Sequence, residues 1–361
     1  MKLPCIGILI LLLSGCGKAI VRLEAGPAPS KDTGARGWSD ASVAQGIDAS
    51  WATDIGPDSP ADGGDEAPSN PFQAIEAVPL QAGTIDGRPY LAAIPRNAYG
   101  LAFYFHDRGK DETALERVEV QDLIHRLNQR LVGVVGLQAG GDEPRSWDVN
   151  QLSAAENRDW PVLENLRNDL VQTTDLRASG PIYVVGQGNG GTFASLVAYL
   201  GTEAGWTVSG ALIHGAPLAG GWVTGAYNPT SAFVLSQNDE VANEERLLEQ
   251  LRSLQARNIP YTLLRCEEKT LHRWRFTRIP GIDQSRSELV FGELADLGII
   301  DREGRRLLSV PEAWVRAARH PFWPETIRPY LPAIEDQLRV VWAARTFCGN
   351  HLHSEIAFIL P

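Results

Sequence analysis

Short apolar runs alternate with amphipathic stretches over most of the chain from residue 72 onward. The runs are four to seven residues long, which suits buried strands, and the stretches between several of them carry apolar residues at helical spacing. Continuous apolar runs separated by helices are typical of a parallel sheet covered on both faces. The pattern therefore predicts an α/β fold: a three-layer sandwich with a mostly parallel sheet.

The pattern also predicts the order of the elements. Strands are predicted at 89–94, 101–105, 131–137, 181–185, 208–214, 232–235 and 261–265, and helices at 114–131, 159–176, 191–200, 244–256 and 338–358. Residues 268–336, after the last strand, are expected to form a small helical insertion over the carboxyl edge of the sheet. Within it, Ser285 and Glu288 predict a capping box that opens a helix ending at Gly298.

The first 15 residues have the three parts of an export signal. Lys2 supplies positive charge, an apolar run extends from Ile6 to Leu13, and Leu-Ser-Gly-Cys follows at 13–16. The run is too short to span a bilayer as a permanent helix. These last four residues resemble the bacterial lipobox, which implies cleavage before Cys16 and a lipid such as palmitate on that residue. In bacterial lipoproteins an aspartate directly after the lipidated cysteine favours the inner membrane. Gly17 occupies that position here, so we expect the outer membrane. An ordinary signal peptide is the alternative.

The segment after Cys16 has the composition of a tether. Residues 24–71 are dominated by Gly, Ala, Ser, Pro and Asp, and nine acidic side chains against two basic ones give a net charge of −7. Such a segment buries too little apolar surface to offset the entropy lost on ordering. We expect residues 16–71 to be a disordered acidic linker, with a docking segment as the alternative, and residues 72–361 to form the folded domain.

Charge and cysteine use narrow the classes of function. The net charge is −11 and no basic cluster is present, which argues against nucleic acid as a partner. With Cys5 removed with the signal and Cys16 lipidated, Cys266 and Cys348 remain as an even pair in an oxidising compartment, and we predict a disulfide between them. Zinc-type Cys/His spacing is absent from the sequence, so neither a metal nor a cofactor is indicated.

A glycine-rich turn, Gly186 to Gly191, joins the strand at 181–185 to the next helix. It matches the dinucleotide-binding pattern G-x-G-x-x-G literally. However, that pattern should follow the first strand of the fold, and no strand ending in Asp or Glu lies about 20 residues further on. The better match is the nucleophile elbow G-x-S-x-G, with Gly186 and Gly190 as the flanking glycines. Gly188 then holds the position of the nucleophile. A plain tight turn is the alternative.

At this turn the chain resembles the α/β-hydrolase superfamily, especially esterase-like members with a Ser-Asn-Gly-Gly elbow. The resemblance covers roughly residues 75–267 and the closing helix. It implies that Asp239 is the acid and His272 the histidine, in the superfamily's chain order of nucleophile, acid, histidine. It also implies an oxyanion hole at Asn189 and at Asp107, in the loop that begins at His106.

Each of these assignments has an alternative. Asp239 could cap the helix that follows it, and His272 could be a surface residue in a basic loop. His351 and His353 are the other candidates for the histidine, and His106 is expected to be structural.

Glycine offers no oxygen or sulfur nucleophile, so serine-dependent acyl transfer is disfavoured. We favour a degenerate hydrolase that binds a small-molecule or ester-like ligand, or a protein partner, in the former pocket. An esterase-like hydrolase in which His272 and Asp239 activate water, and a surface scaffold, are the alternatives. If His272 faces Gly188, replacing Gly188 by serine could create a weak esterase. In every case the lipid on Cys16 makes the membrane a partner.

Overall fold

The computed structural model describes residues 70–72, 74–141, 145–220, 229–319 and 323–360. The predicted signal peptide, Cys16 and almost all of the predicted linker lie outside these residues. Within the described ranges, no helix combines the length and the apolar character needed to cross a membrane.

One eight-stranded sheet forms the centre of the domain, in the order β1-β2-β4-β3-β5-β6-β7-β8. β2 pairs antiparallel with β1 and β4, and all other neighbours in this sheet are parallel. This is the mostly parallel α/β-hydrolase arrangement that was predicted. The strands are β1 Gln81–Ile85, β2 Arg88–Ala93, β3 Gly100–Phe105, β4 Val132–Leu137, β5 Ile182–Gln187, β6 Val208–His214, β7 Thr230–Ser236 and β8 Tyr261–Cys266.

Helices cover both faces of the sheet because successive strand residues point to opposite sides. On β3, Phe103 and Phe105 pack with α2, α3 and α4, whereas Ala102 and Tyr104 pack with α1 and α8. The result is a three-layer sandwich with two apolar cores. The helices are α1 Val118–Gln129, α2 Trp160–Thr173, α3 Asn189–Glu203, α4 Glu244–Ala256, α5 Gln284–Asp296, α6 Val310–Ala318, α7 Leu331–Val341 and α8 Leu352–Ile359.

Most predicted elements are confirmed, and β6 and α4 have the predicted bounds. β1 was missed because its residues are largely exposed at the edge of the sheet, so no apolar run marks it. It forms a hairpin with β2 through Asp86 and Gly87, which have φ angles of 48° and 76°. Asp-Gly at such a turn is a strong hairpin signal that could have identified the strand.

Three helix predictions are wrong in detail. The helix predicted at 114–131 is interrupted: residues 112–116 form a 3₁₀ turn, and α1 begins at Val118. The capping box is not at Ser285, because α5 begins at Gln284 and its N-cap is Asp283, whose side chain accepts the Arg286 N–H at 2.8 Å. The closing helix predicted at 338–358 is two helices, α7 and α8. The segment between them includes Ala343, which has a φ of 46°.

The insertion after β8 has an apolar core of its own, which includes residues of α5 and α6. A buried carboxylate of α1, that of Glu119, fixes it to the rest of the domain. Glu119 accepts hydrogen bonds from Arg275 and Gln337, both at 3.0 Å, and from Arg278 at 2.9 Å. Burial lowers the pKa of Arg275 to about 10 even though the Glu119 charge opposes the shift.

A disulfide fixes the segment between α7 and α8. It joins Cys266, at the end of β8, to Cys348, with Cα atoms 6.7 Å apart. That separation lies within the range that a disulfide can bridge. Residues 342–348 are therefore held at the carboxyl end of β8, beside the end of β7.

Candidate functional site

Gly188 lies between the last residue of β5 and the first residue of α3, with a φ of 55° and a ψ of −123°. L-amino acids with a side chain adopt this conformation only at a cost, whereas glycine adopts it freely. The flanking glycines are needed because the backbone of the turn is closely packed. A Cβ at Gly186 would overlap the Gly190 carbonyl, and a Cβ at Gly190 would overlap the Phe105 carbonyl. The turn thus has the close strand–helix approach of a nucleophile elbow.

The space beside Gly188 is filled by two charged side chains. A Cβ built on Gly188 would overlap Asp107 Oδ1 and Arg345 Nη2. Arg345 holds Asp107 with two hydrogen bonds, from Nε to Oδ2 at 2.8 Å and from Nη2 to Oδ1 at 2.9 Å. An ion pair therefore lies where the side chain of an elbow nucleophile would begin.

The Asp107 carboxylate also accepts a hydrogen bond from the backbone amide that was predicted to donate to an oxyanion. Asn189 N–H donates to Asp107 Oδ1 at 2.9 Å, and Arg108 N–H donates to the same atom at 2.8 Å. Burial by itself would raise the pKa of Asp107, but Arg345 and these two amides outweigh it and hold the pKa below its usual value. Asp107 is thus an ionised acceptor at the elbow, and its side chain is not an oxyanion donor.

Arg345 also approaches Asp239, the predicted acid. Its Nη1 lies 3.7 Å from Asp239 Oδ1, and the Asp239 side chain is only 2% exposed. The same oxygen accepts the Val241 and Ala242 N–H groups at 3.0 Å. Hydrogen bonding to Asp107, together with the charges of Asp107 and Asp239, raises the pKa of Arg345 despite its partial burial. Arg345 therefore stands between the elbow and the acid, which is where a triad needs a histidine.

His272 is not brought to Asp239, and its sequence-based assignment needs correction. Its ring packs against Phe72 and Trp274, with centroids 5.4 and 5.2 Å away, and its Nδ1 accepts the Trp274 N–H at 3.2 Å. Burial, with the charge of Arg273, lowers its pKa. Among the contacts of the described residues, none joins His272 to Asp239 or Gly188. The reason is that its loop turns into the core of the insertion, where Leu271 is buried.

The two other candidates predicted for the histidine, His351 and His353, do not take its place. His351 Nε2 lies 2.8 Å from the Arg265 carbonyl, and His353 is exposed on α8. His106 is buried: its Nε2 accepts the Ala139 N–H at 3.1 Å, so Nδ1 carries the proton and donates to the Asp107 carbonyl at 2.8 Å. Burial lowers the pKa of His106. It supports the loop that carries Asp107.

Ser195, which follows the turn in α3, is not available as a replacement nucleophile. Ser195 is buried in α3, donates to the Thr192 carbonyl at 2.6 Å and accepts the Ala219 N–H at 2.9 Å. Asp107 itself is a poor nucleophile, because two amides and a guanidinium already bond its carboxylate and stabilise its charge. The elbow thus combines a preserved backbone with side chains unsuited to acyl transfer.

Sequence reasoning missed Arg345 because the pattern placed it inside a continuous helix. The signal available was the Phe-Cys-Gly sequence at 347–349, since a disulfide cysteine followed by glycine is a poor helix interior. Even so, the contact of Arg345 with Asp107 spans 238 positions in the chain, and no local pattern reports it.

A polar cavity of about 570 Å³ opens beside the acid, at the carboxyl ends of β7 and β8. Ligands of such sheets bind at this edge. The residues that the structure describes contain no group of His, Cys, Asp or Glu side chains suited to hold a metal ion. The polar residues lining the cavity include Ser236, Gln237, Asp239, Glu244, Arg265 and Glu268.

Comparison with known proteins gives similarity of fold only. No family model and no curated protein matches the chain. A thermostable esterase of known structure is 16% identical with a TM-score of 0.37, over 52% of this chain and 54% of the esterase, so the match spans about half of that protein. S-formylglutathione hydrolase (FrmB) from Staphylococcus aureus is 13% identical with a TM-score of 0.40, over 54% of this chain and 90% of its own. Esterase PE8 is 17% identical with a TM-score of 0.36, over 58% and 97%.

Proposed function

We propose that this chain is an exported, lipid-anchored protein in which an α/β-hydrolase fold has lost catalysis and binds a ligand or a protein partner in the former active-site cleft. The observation that carries the proposal is the Asp107–Arg345 ion pair at the side-chain position of Gly188. A hydrolase must place a nucleophile and a base there. This chain places two groups there that neutralise each other.

The water-activating alternative fits the geometry less well. A general base must accept a proton near neutral pH, and a guanidinium is always protonated in proteins. Arg345 approaches Asp239, whereas His272 packs in the insertion. None of the described contacts of Asp239 is with a histidine ring that it could orient.

Binding rather than catalysis is supported by the cavity beside Asp239. Its volume of about 570 Å³ falls within the range of small-molecule sites. It lies at the edge of the sheet where the strand ends and their loops supply polar groups. The surface-scaffold alternative leaves this cavity without a role.

Hydrolysis of short p-nitrophenyl esters tests the loss of catalysis. We expect no turnover above the uncatalysed rate from the wild-type protein or from Gly188→Ser, because serine would have no base beside it. The double variant Gly188→Ser/Arg345→His supplies both groups opposite Asp239 and serves as the matched comparison. Robust wild-type turnover that disappears in His272→Ala would contradict the proposal.

A thermal-shift screen of the soluble domain tests binding. A ligand at about 100 times its dissociation constant adds about 2.7 kcal/mol to the free energy of unfolding. Hits should lose their effect when Ser236 is replaced by a bulky residue such as tryptophan. Hits that keep their full effect in that variant bind elsewhere and argue against the cleft.

A further inference from the structure

Four hydrogen-bond donations converge on the Asp107 carboxylate at the elbow. Two come from the Arg345 guanidinium at 2.8 and 2.9 Å, and two from the backbone N–H groups of Asn189 and Arg108 at 2.9 and 2.8 Å. Charge-assisted, bidentate bonding of a carboxylate by arginine is the strongest common form of side-chain hydrogen bonding. Asn189 also opens the 15-residue helix α3, whose N-terminal end favours negative charge.

The position of this carboxylate distinguishes it from an ordinary surface ion pair. In a hydrolase, the N–H of the residue after the nucleophile donates to the negative oxygen of the reacting group. Here that N–H belongs to Asn189, and the negative oxygen it holds is Asp107 Oδ1. The donors of an oxyanion hole therefore bind a permanent anion from the chain itself.

The donors also have contacts other than those with Asp107. Arg345 is also held by Asp239, at 3.7 Å, and its segment is fixed by the nearby Cys266–Cys348 disulfide. The Asn189 side chain is fixed separately, since its Oδ1 accepts the Trp147 N–H at 2.7 Å. The Arg345 side chain is 26% exposed and that of Asp107 is 15% exposed, so solvent reaches the pair.

From this geometry we infer that Arg345 and the Asn189 amide form a carboxylate-binding site whose resident occupant is Asp107, and that the carboxylate of a small organic ligand exchanges with it. The inference rests on the proposed non-catalytic function and names a ligand class for the elbow, whose donors Arg345 and Asn189 are not among the residues lining the cavity of about 570 Å³. Rotation of the Asp107 side chain toward solvent vacates the site. The incoming carboxylate then takes the space that the Asp107 carboxylate leaves.

Emptying the site by mutation is the direct test. In Asp107→Ala we expect formate and acetate to raise the melting temperature saturably, by about 3 °C at ten times the dissociation constant. Sodium chloride at the same ionic strength should not reproduce the rise. The double variant Asp107→Ala/Arg345→Gln is the matched control and should show none. No saturable response in Asp107→Ala, or an equal response in the double variant, overturns the site.

The exchange itself is tested in the wild-type protein, which also covers failure of Asp107→Ala to fold. The Arg345 Nε–H resonance, assigned by its loss in Arg345→Lys, should shift saturably as acetate is added. Because Asp107 competes for the same donors, the wild type should need more acetate than Asp107→Ala. A resonance that stays unchanged up to about 0.5 M acetate shows that Asp107 does not exchange. Neither measurement depends on ester hydrolysis, so a failed carboxylate site and a surviving enzyme activity give different results.

Discussion

At the scale of single residues, Gly188 shows how the absence of a side chain changes what its neighbours can do. With Gly188 lacking a side chain, Asp107 and Arg345 pack into the space that a serine would need. The backbone that suits a nucleophile here stabilises an ion pair. Replacing Gly188 by serine would therefore strain the backbone and would also require the Asp107–Arg345 ion pair to move.

We expect Gly188→Ser to destabilise the domain more than a glycine replacement elsewhere at positive φ. Gly205, with a φ of 77° and no atom beyond its chain neighbours within 4 Å of the position that a Cβ would take, is the matched control. Gly205→Ser should cost about 1–3 kcal/mol through backbone strain alone. Gly188→Ser should cost about 2 kcal/mol more, because it displaces hydrogen bonds between charged groups. Urea unfolding measures both; equal costs would show that the ion pair moves aside freely.

Asp107 should make stability depend on acid pH. Because its pKa is held below the ordinary value of 3.8 in the folded protein, its contribution is present above the unfolded-state pKa and is lost as pH falls through the folded-state pKa. The stability advantage of the wild type over Asp107→Asn should thus be constant between about pH 5 and 7 and shrink below about pH 4. Denaturation of both proteins across this range is the measurement. A difference that does not change with pH contradicts the assigned pKa direction.

At the scale of elements, two long-range contacts hold the segments that carry the site. The disulfide fixes the α7–α8 segment to β8, and the Glu119 network fixes the insertion to α1. Neither lies within one helix or strand. The elements are local, but their arrangement depends on these connections.

Replacing Glu119 should loosen the insertion. Its side chain is 5% exposed, and Glu119→Ala leaves Arg275 and Arg278 without their buried partner. Breaking one side of a buried ion pair costs about 3–5 kcal/mol. Glu116→Ala, an exposed glutamate three residues earlier, should stay within about 0.5 kcal/mol of the wild type. Similar free energies of unfolding for the two variants would contradict the role of the network.

The disulfide should contribute through the long loop that it closes. Cys266 and Cys348 are 82 residues apart, and the chain-entropy model gives about 4.5 kcal/mol for a loop of that length. Cys266→Ala/Cys348→Ala should lower the denaturation midpoint accordingly. Mass spectrometry after alkylation should find neither thiol free in protein purified from the membrane fraction. Two alkylated cysteines would rule the bond out.

At the scale of the whole molecule, the prediction concerns attachment. Cys16 follows the apolar run Ile6–Leu13 in a lipobox-like sequence, so we expect the exported protein to be lipidated there. Cys16→Ser should move the protein from the membrane fraction to the soluble fraction and change its mobility on a gel. A Cys16→Ser protein that remains membrane-bound with unchanged mobility contradicts the anchor.

Local chemistry in the sequence determined most of the fold. Apolar runs of strand length and helical spacing between them predicted seven of the eight strands and the layers that cover them, because buried strands and amphipathic helices have different periods. Gly188 was also visible as the residue at the elbow, since glycines recur there at fixed spacing. Export and lipidation were predicted from the N-terminal pattern alone.

Tertiary structure decided which side chains meet at that elbow. Asp107, Gly188, Asp239 and Arg345 come from four loops spread over the chain, and only the parallel sheet brings its strand ends to one edge. His272 has a suitable position in the sequence, but its neighbour Leu271 packs in the core of the insertion, and His272 itself is exposed there. The sequence pattern places Arg345 in a helix, but the disulfide between Cys348 and Cys266 holds its segment at the end of β8. The period of the apolar residues indicates which face of each helix or strand is buried. Contacts between charged residues that are distant in sequence depend on how those buried faces pack together.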